Sequence, residues 1–127
     1  MQTLEKRVLI IEDDQAIRDS LCELLESEGF VVSLAEHGLH GLETLEGLSV
    51  LPHVILLDLS MPVMDGHTFL ERIQTTHSQF SKITILVMTA AGVGSFPKNH
   101  DPVKILRKPV DVDRLLDTIE KYLPQSK

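Results

Sequence analysis

The sequence predicts an α/β protein built on an open, doubly wound parallel sheet of five strands. Three observations predict it. Short apolar runs, too continuous for burial on one face only, recur along the chain. Segments with apolar residues at helical spacing separate them, the pattern of consecutive βα units. Four of the strands end in polar or charged residues, at the rim where such sheets bind ligands.

Val8-Leu9-Ile10-Ile11 reads as a first strand buried on both faces. A helix over residues 15–28 follows. Ile17, Leu21, Leu24 and Leu25 recur at helical spacing, with Arg18, Asp19, Glu23 and Glu26 toward solvent. Gly29 is well placed to end it. Val31-Val32-Ser33-Leu34 is a weaker strand that suits an edge. Leu39, Leu42 and Leu45 mark a short second helix ending near Gly47. Pro52 precedes a third strand over 53–57. Phe69, Leu70 and Ile73 belong to a third helix that begins near Asp65-Gly66. Residues 83–88, Ile-Thr-Ile-Leu-Val-Met, form a fourth strand. Residues 103–106 form a fifth, and Lys104 within it suits an edge. A final helix follows, with Asp111 as N-cap and Val112, Leu115, Leu116, Ile119 and Leu123 on one face. Between strands four and five, residues 91–102 carry two glycines and two prolines. A fourth helix in the chain order is therefore expected to be short or irregular there.

With 127 residues and no linker, repeat or low-complexity tract, a single domain over residues 1–127 is expected. That length buries a core without disulfides or structural metal. The net charge of −7, from 12 basic and 19 acidic residues, argues against direct nucleic-acid binding. No apolar stretch approaches the ~18 residues of a membrane span, so no membrane insertion is expected. The first strand starts too early for a signal peptide, and Cys22 has no partner for an internal disulfide. Both fit a cytoplasmic protein, with Cys22 a structural thiol. The six histidines show no metal-ligand spacing.

The strand ends carry the chemistry. The first ends in Glu12-Asp13-Asp14, the third in Asp58, the fourth in Thr89, the fifth in Lys108-Pro109. Taken singly, each is an ordinary turn, cap or solvated residue. In a flavodoxin-like strand order, 2-1-3-4-5, strands one and three are neighbours. Glu12, Asp13 and Asp58 then converge, with Thr89 and Lys108 on the far side. Two carboxylates 4 Å apart repel by roughly 4 kcal/mol at an effective dielectric of 20. Such a cluster takes up protons or binds a cation. Hard oxygen ligands in a small site favour Mg²⁺. A lysine amine and a threonine hydroxyl add groups for phosphoryl oxygens. The set fits phosphoryl transfer, with Asp58 as nucleophile.

These residues are where the chain resembles a response-regulator receiver domain of two-component signalling. Val8-Leu9-Ile10-Ile11-Glu12-Asp13-Asp14, with Ile17-Arg18 after it, is similar to the family's first strand and acidic pair. Leu56-Leu57-Asp58-Leu59-Ser60-Met61-Pro62-Val63-Met64-Asp65-Gly66 resembles its phosphorylation-site segment. Val87-Met88-Thr89-Ala90 and Lys108-Pro109 resemble its other two signatures. The resemblance runs from about residue 6 to residue 123 and implies the 2-1-3-4-5 order. It implies that Asp58 accepts a phosphoryl group from a phosphohistidine on a sensor histidine kinase or phosphotransfer protein. Asp13 would ligate Mg²⁺ directly and Glu12 through water. Asp58 and the backbone carbonyl of Ser60 would complete the protein ligands, and Asp14, aligned just past the acidic pair, would be a helix cap. Thr89 and Lys108 would hold the phosphoryl oxygens, and Lys108-Pro109 would be a cis peptide. The output is contact with a downstream protein target. On this reading the chain is a phosphoacceptor that assists its own phosphorylation and dephosphorylation rather than an enzyme. It is expected to be a stand-alone, chemotaxis-regulator-like protein; the alternative is a receiver excised from a hybrid histidine kinase or larger regulator.

Two positions depart from the family. Ile105 stands where an aromatic residue is usual, three before the lysine. The stretch from Thr89 to Lys108 is about one helical turn short. The expected readout is therefore a reshaping of residues 91–102 rather than rotation of an aromatic ring. A Mg²⁺-dependent aspartyl phosphohydrolase is a second class to weigh. It would typically carry another aspartate two residues after the nucleophile, where this chain has Ser60. An unphosphorylated interaction module would be expected to lack the acceptor or metal residues, which are present here.

Overall fold

The computed structural model describes residues 5–59, 66–89 and 104–123. Ser60, Met61, Met64 and the 91–102 segment, with the helix and the readout expected of it, lie outside the described residues.

Five strands form one sheet: β1 (Lys6–Ile11), β2 (Phe30–Ala35), β3 (Val54–Asp58), β4 (Thr84–Thr89) and β5 (Ile105–Arg107). Every pairing is parallel, and the order is β2-β1-β3-β4-β5, as the flavodoxin-like reading requires. Four helices are described: α1 (Gln15–Ser27), α2 (Gly38–Gly47), α3 (Gly66–Gln74) and α4 (Val112–Lys121). A single 3₁₀ turn spans Ser78–Phe80.

Alternate residues of the central strands feed two cores. Leu9, Ile11, Ile55, Leu57, Ile85 and Val87 pack with α2 and α3 through Leu42, Leu45, Phe69 and Ile73. Val8, Ile10, Val54, Leu56, Leu86 and Met88 pack with α1 and α4 through Leu25, Leu115 and Ile119. Burial on both faces explains why these strands read as continuous apolar runs. Ile105 is half-buried and packs against the first core, so an aliphatic side chain fills the place expected for a ring.

The helix ends follow local chemistry. The Asp14 carboxylate accepts from the Ile17 N–H at 3.0 Å and caps α1. Gly29 adopts φ 90° just past its end, a conformation that costs glycine little. Asp111 accepts from the Asp113 and Arg114 N–H groups at the start of α4. The cap of α2 is one the sequence does not advertise. His37 Nδ1 accepts from the His40 N–H at 3.0 Å.

One side-chain orientation needs correction. Arg18, assigned above to the solvent face of α1, is 9% exposed and buried. It lies in the first turns of α1, where side chains lean toward the helix N-terminus. Its long stem therefore folds back over the Glu12–Asp13 turn instead of reaching water. Ile17 shows the reverse. It is 41% exposed on the rim of a largely apolar groove that also includes Leu21, Met88, Pro109, Val110 and Val112.

Candidate functional site

The site lies at the carboxyl ends of the central strands. Ile11 of β1 pairs with Leu57 of β3, so Glu12 and Asp58 come one step later, on adjacent strands. Asp58 pairs with Met88 of β4, and Thr89 with Arg107 of β5. Lys108 follows directly, its N–H donating to the Thr89 carbonyl at 2.8 Å. The ladder is prolonged on the other side, where the Glu12 N–H donates to the Ala35 carbonyl at 3.1 Å. Hydrogen-bonded strand ends thus set the positions of Glu12, Asp58, Thr89 and Lys108.

Glu12, Asp13 and Asp58 form a cluster in which one carboxylate oxygen from each lies within 4.8 Å of the others. Glu12 and Asp58 are buried; Asp13 is exposed and opens the cluster to water. Lys108 Nζ lies 3.1 Å from Asp58 Oδ1 and 3.5 Å from Glu12 Oε1. The second Glu12 oxygen, Oε2, accepts from the Asp14 N–H at 3.1 Å. The Lys108–Pro109 peptide is cis. Thr89 is buried on the same rim.

The electrostatics follow from this crowding. Burial pushes the Glu12 carboxyl up to about 7, and the Asp58 charge adds to the rise against the Asp14 N–H and Lys108. Burial works against the Lys108 ammonium. The hydrogen bond and charge of Asp58, joined by Glu12, outweigh it and raise the Lys108 pKa. Lys108 therefore stays charged, and three carboxyl groups share one ammonium.

That donor set suits a divalent cation. Its oxygens are hard, close together and short of positive charge, which is what Mg²⁺ demands of a site that keeps its own waters. No other group of three or more acidic, histidine or cysteine side chains of this kind occurs among the described residues. Of the residues singled out in the sequence, Glu12, Asp13, Asp58 and Lys108 come together. Thr89 reaches the same rim and touches Lys108 through its backbone. Ser60 lies outside the described residues. The sequence reading counted Arg18 in the resemblance and placed it toward solvent, but missed its contact with the acidic turn. Arg18 Nη1 donates to the backbone carbonyl of Glu12 at 2.8 Å and toward that of Asp13 at 3.4 Å. A cation one turn into the helix that follows an acidic pair was the available signal.

Comparison with known proteins agrees with this geometry. The response regulator receiver domain family matches residues 8–120. The transcriptional regulatory protein FixJ of Bradyrhizobium diazoefficiens is 36% identical over 129 residues, covering 98% of this chain and 60% of that protein. Sporulation initiation phosphotransferase F of Bacillus subtilis is 31% identical over 124 residues, covering 95% of this chain and 96% of that one. The chain thus spans nearly all of the second relative but less than two thirds of the first. Among solved structures, the chemotaxis response regulator CheY4 of Vibrio cholerae superposes with a TM-score of 0.79 at 27% identity, covering 94% of this chain and 100% of that one. With its five-stranded parallel sheet, its acidic cluster and the match over residues 8–120, the chain belongs to the response regulator receiver domain family.

Proposed function

We propose that Asp58 is the residue at which this receiver domain accepts its phosphoryl group, from a phosphohistidine on a sensor kinase or phosphotransfer protein. The observation that carries the reading is the placement of Asp58. Its carboxylate is buried at the end of β3, within 4.8 Å of two other acids and 3.1 Å from the Lys108 ammonium. A carboxylate oxygen of Asp58 attacks phosphorus, the phosphorus–nitrogen bond of the donor breaks, and its electron pair returns to the imidazole. The product is an acyl phosphate on Asp58.

This chain's residues supply positioning and charge. The β3 ladder fixes the Asp58 backbone. Lys108, held between Asp58 and Glu12, is placed to pair with a phosphoryl oxygen as charge moves onto it. Thr89, on the adjacent strand, can donate its hydroxyl to another. Glu12, Asp13 and Asp58, with the Ser60 carbonyl, would hold Mg²⁺. When bound, the ion would supply the positive charge that lets an anionic donor approach three carboxylates. Asp14 is outside this set because its carboxylate is spent on capping α1. The readout would be a changed contact with a downstream protein, in the cytoplasm. The chain would assist transfer to and from its own Asp58 without turning over a separate substrate. Among the described residues no helix is long and apolar enough to cross a membrane.

Acetyl phosphate in Mg²⁺ is the direct test. Wild type should gain one phosphoryl group by intact mass, and Asp58→Asn should gain none while keeping its Tm within a few degrees. Labelling of Asp58→Asn at the wild-type level would overturn the assignment. Labelling that survives removal of Mg²⁺ by chelation would overturn the metal's part.

A further inference from the structure

We infer that Arg18 is a positioning residue for the metal site: it holds the Glu12–Asp13 turn in the shape that presents both carboxylates to the cation. The inference rests on the reading of the acidic cluster as a Mg²⁺ site.

Arg18 is 9% exposed, yet its contacts are mostly with backbone. Nη1 donates to the Glu12 carbonyl at 2.8 Å and points at the Asp13 carbonyl at 3.4 Å. Nη2 lies 3.8 Å from Glu36 Oε1, just past the end of β2. The turn is thus gripped from several sides. The Ala35 carbonyl takes the Glu12 N–H, Arg18 takes the carbonyls, and the Asp14 N–H takes Glu12 Oε2. With the two carbonyls drawn toward α1, the side chains of Glu12 and Asp13 lie where their oxygens meet Asp58.

The arginine also answers a cost specific to this place. Carbonyl oxygens are acceptors, and so are the three carboxylates. Without a donor on the far side, the turn could swing its carbonyls toward the cation site or toward water. A guanidinium fits because one nitrogen, Nη1, carries two N–H groups for the two neighbouring carbonyls while Nη2 faces Glu36, and the group stays charged. Groups that orient metal ligands typically matter by roughly 10- to 100-fold in metal affinity.

The experiment is a Mg²⁺ titration by calorimetry of wild type, Arg18→Gln, Arg18→Lys and a control, Leu24→Ala. The control removes packing from the same helix without touching the turn. Arg18→Gln should raise the Mg²⁺ Kd about tenfold, and Arg18→Lys by less, because its longer stem keeps a charged N–H donor within reach of the turn. Leu24→Ala should lower Tm and leave the Kd unchanged. Faster amide exchange at Asp13 and Asp14 in Arg18→Gln, with the rest of α1 unaltered, is the second expected result. A Kd within twofold of wild type in Arg18→Gln overturns the role. So does an equal rise in Leu24→Ala, which would make the effect one of general stability. Should Arg18→Gln not fold, Arg18→Lys against Leu24→Ala decides by the same comparison. If wild type itself binds no Mg²⁺, the reading of the cluster fails; if wild type binds and the Arg18 variants match it, only the positioning role fails.

Discussion

Glu12 sets how the site responds to pH. Its carboxyl sits at about 7 in the folded chain against an ordinary 4.5, chiefly because it is buried. Between those values the folded protein holds a proton that the unfolded chain has released, so raising pH favours unfolding. The destabilisation begins as pH rises past about 4.5 and is complete above about 7. For metal-free protein we expect stability to fall across that window by roughly 1–3 kcal/mol. Denaturant melts at several pH values, with Glu12→Gln alongside, would show it, because the variant lacks the slope. Added Mg²⁺ should restore wild-type stability near pH 7.5, by mass action on the folded state. Asp14, two residues away, should behave otherwise. Its carboxylate caps α1 and its backbone N–H holds Glu12. Asp14→Ala keeps the second bond and loses the first. The expected cost is about 1 kcal/mol in stability, with phosphorylation by acetyl phosphate unchanged; a loss of labelling would move Asp14 into the site.

At the scale of elements, two glycines show how closely helices approach the reactive strands. A Cβ on Gly66, at the start of α3, would lie 2.6 Å from Leu59 Cα and 2.8 Å from the Asp58 carbonyl oxygen. Those are backbone atoms of the strand end that carries the acceptor. A Cβ on Gly41, within α2, would lie 2.5 Å from Ile11 Cδ1, the tip of a side chain that can turn. Gly66→Ala should therefore be the worse change, by about 1–3 kcal/mol relative to Gly41→Ala. It should also slow Asp58 labelling, where Gly41→Ala leaves the rate near wild type. Thermal melts and labelling time courses of the two variants check the order. The strands were legible in the sequence because burial on both faces makes them unbroken apolar runs. The cap Asp111 was legible because a short acidic side chain before a periodic segment has one common use, whereas that of Asp14 came from its place just past the acidic pair of the resemblance. The His37 cap was not, since histidine is rarely read as one. The inward turn of Arg18 was missed because periodicity assigns a direction to Cβ, whereas a long side chain is free to fold back toward the helix start.

Across the whole molecule, what spacing alone left open was strand order. Apolar runs name five strands but do not say which lie side by side, and without β1 beside β3 the acidic pair and Asp58 never meet. The order came from the resemblance, and the sheet matches it. The parallel ladders then have a consequence for how the protein tolerates change in length. Val8, Val54 and Thr84 are abreast at one end, and Ile11, Leu57 and Val87 are abreast three residues on. The level of each reactive residue is counted along its own strand from hydrogen bonds to its neighbours. The connections entering the sheet at the opposite rim play no part in that count. Two glycines inserted between Val50 and Leu51 should lengthen the entry to β3 and leave Asp58 labelling within about twofold of wild type, since loop extension costs little. One residue inserted between Ile55 and Leu56 should abolish labelling, because every later side chain on β3 changes face. The sheet works as a ruler whose zero is at the far edge: it admits wide variation in the loops there, and none in the number of residues between that edge and the acid.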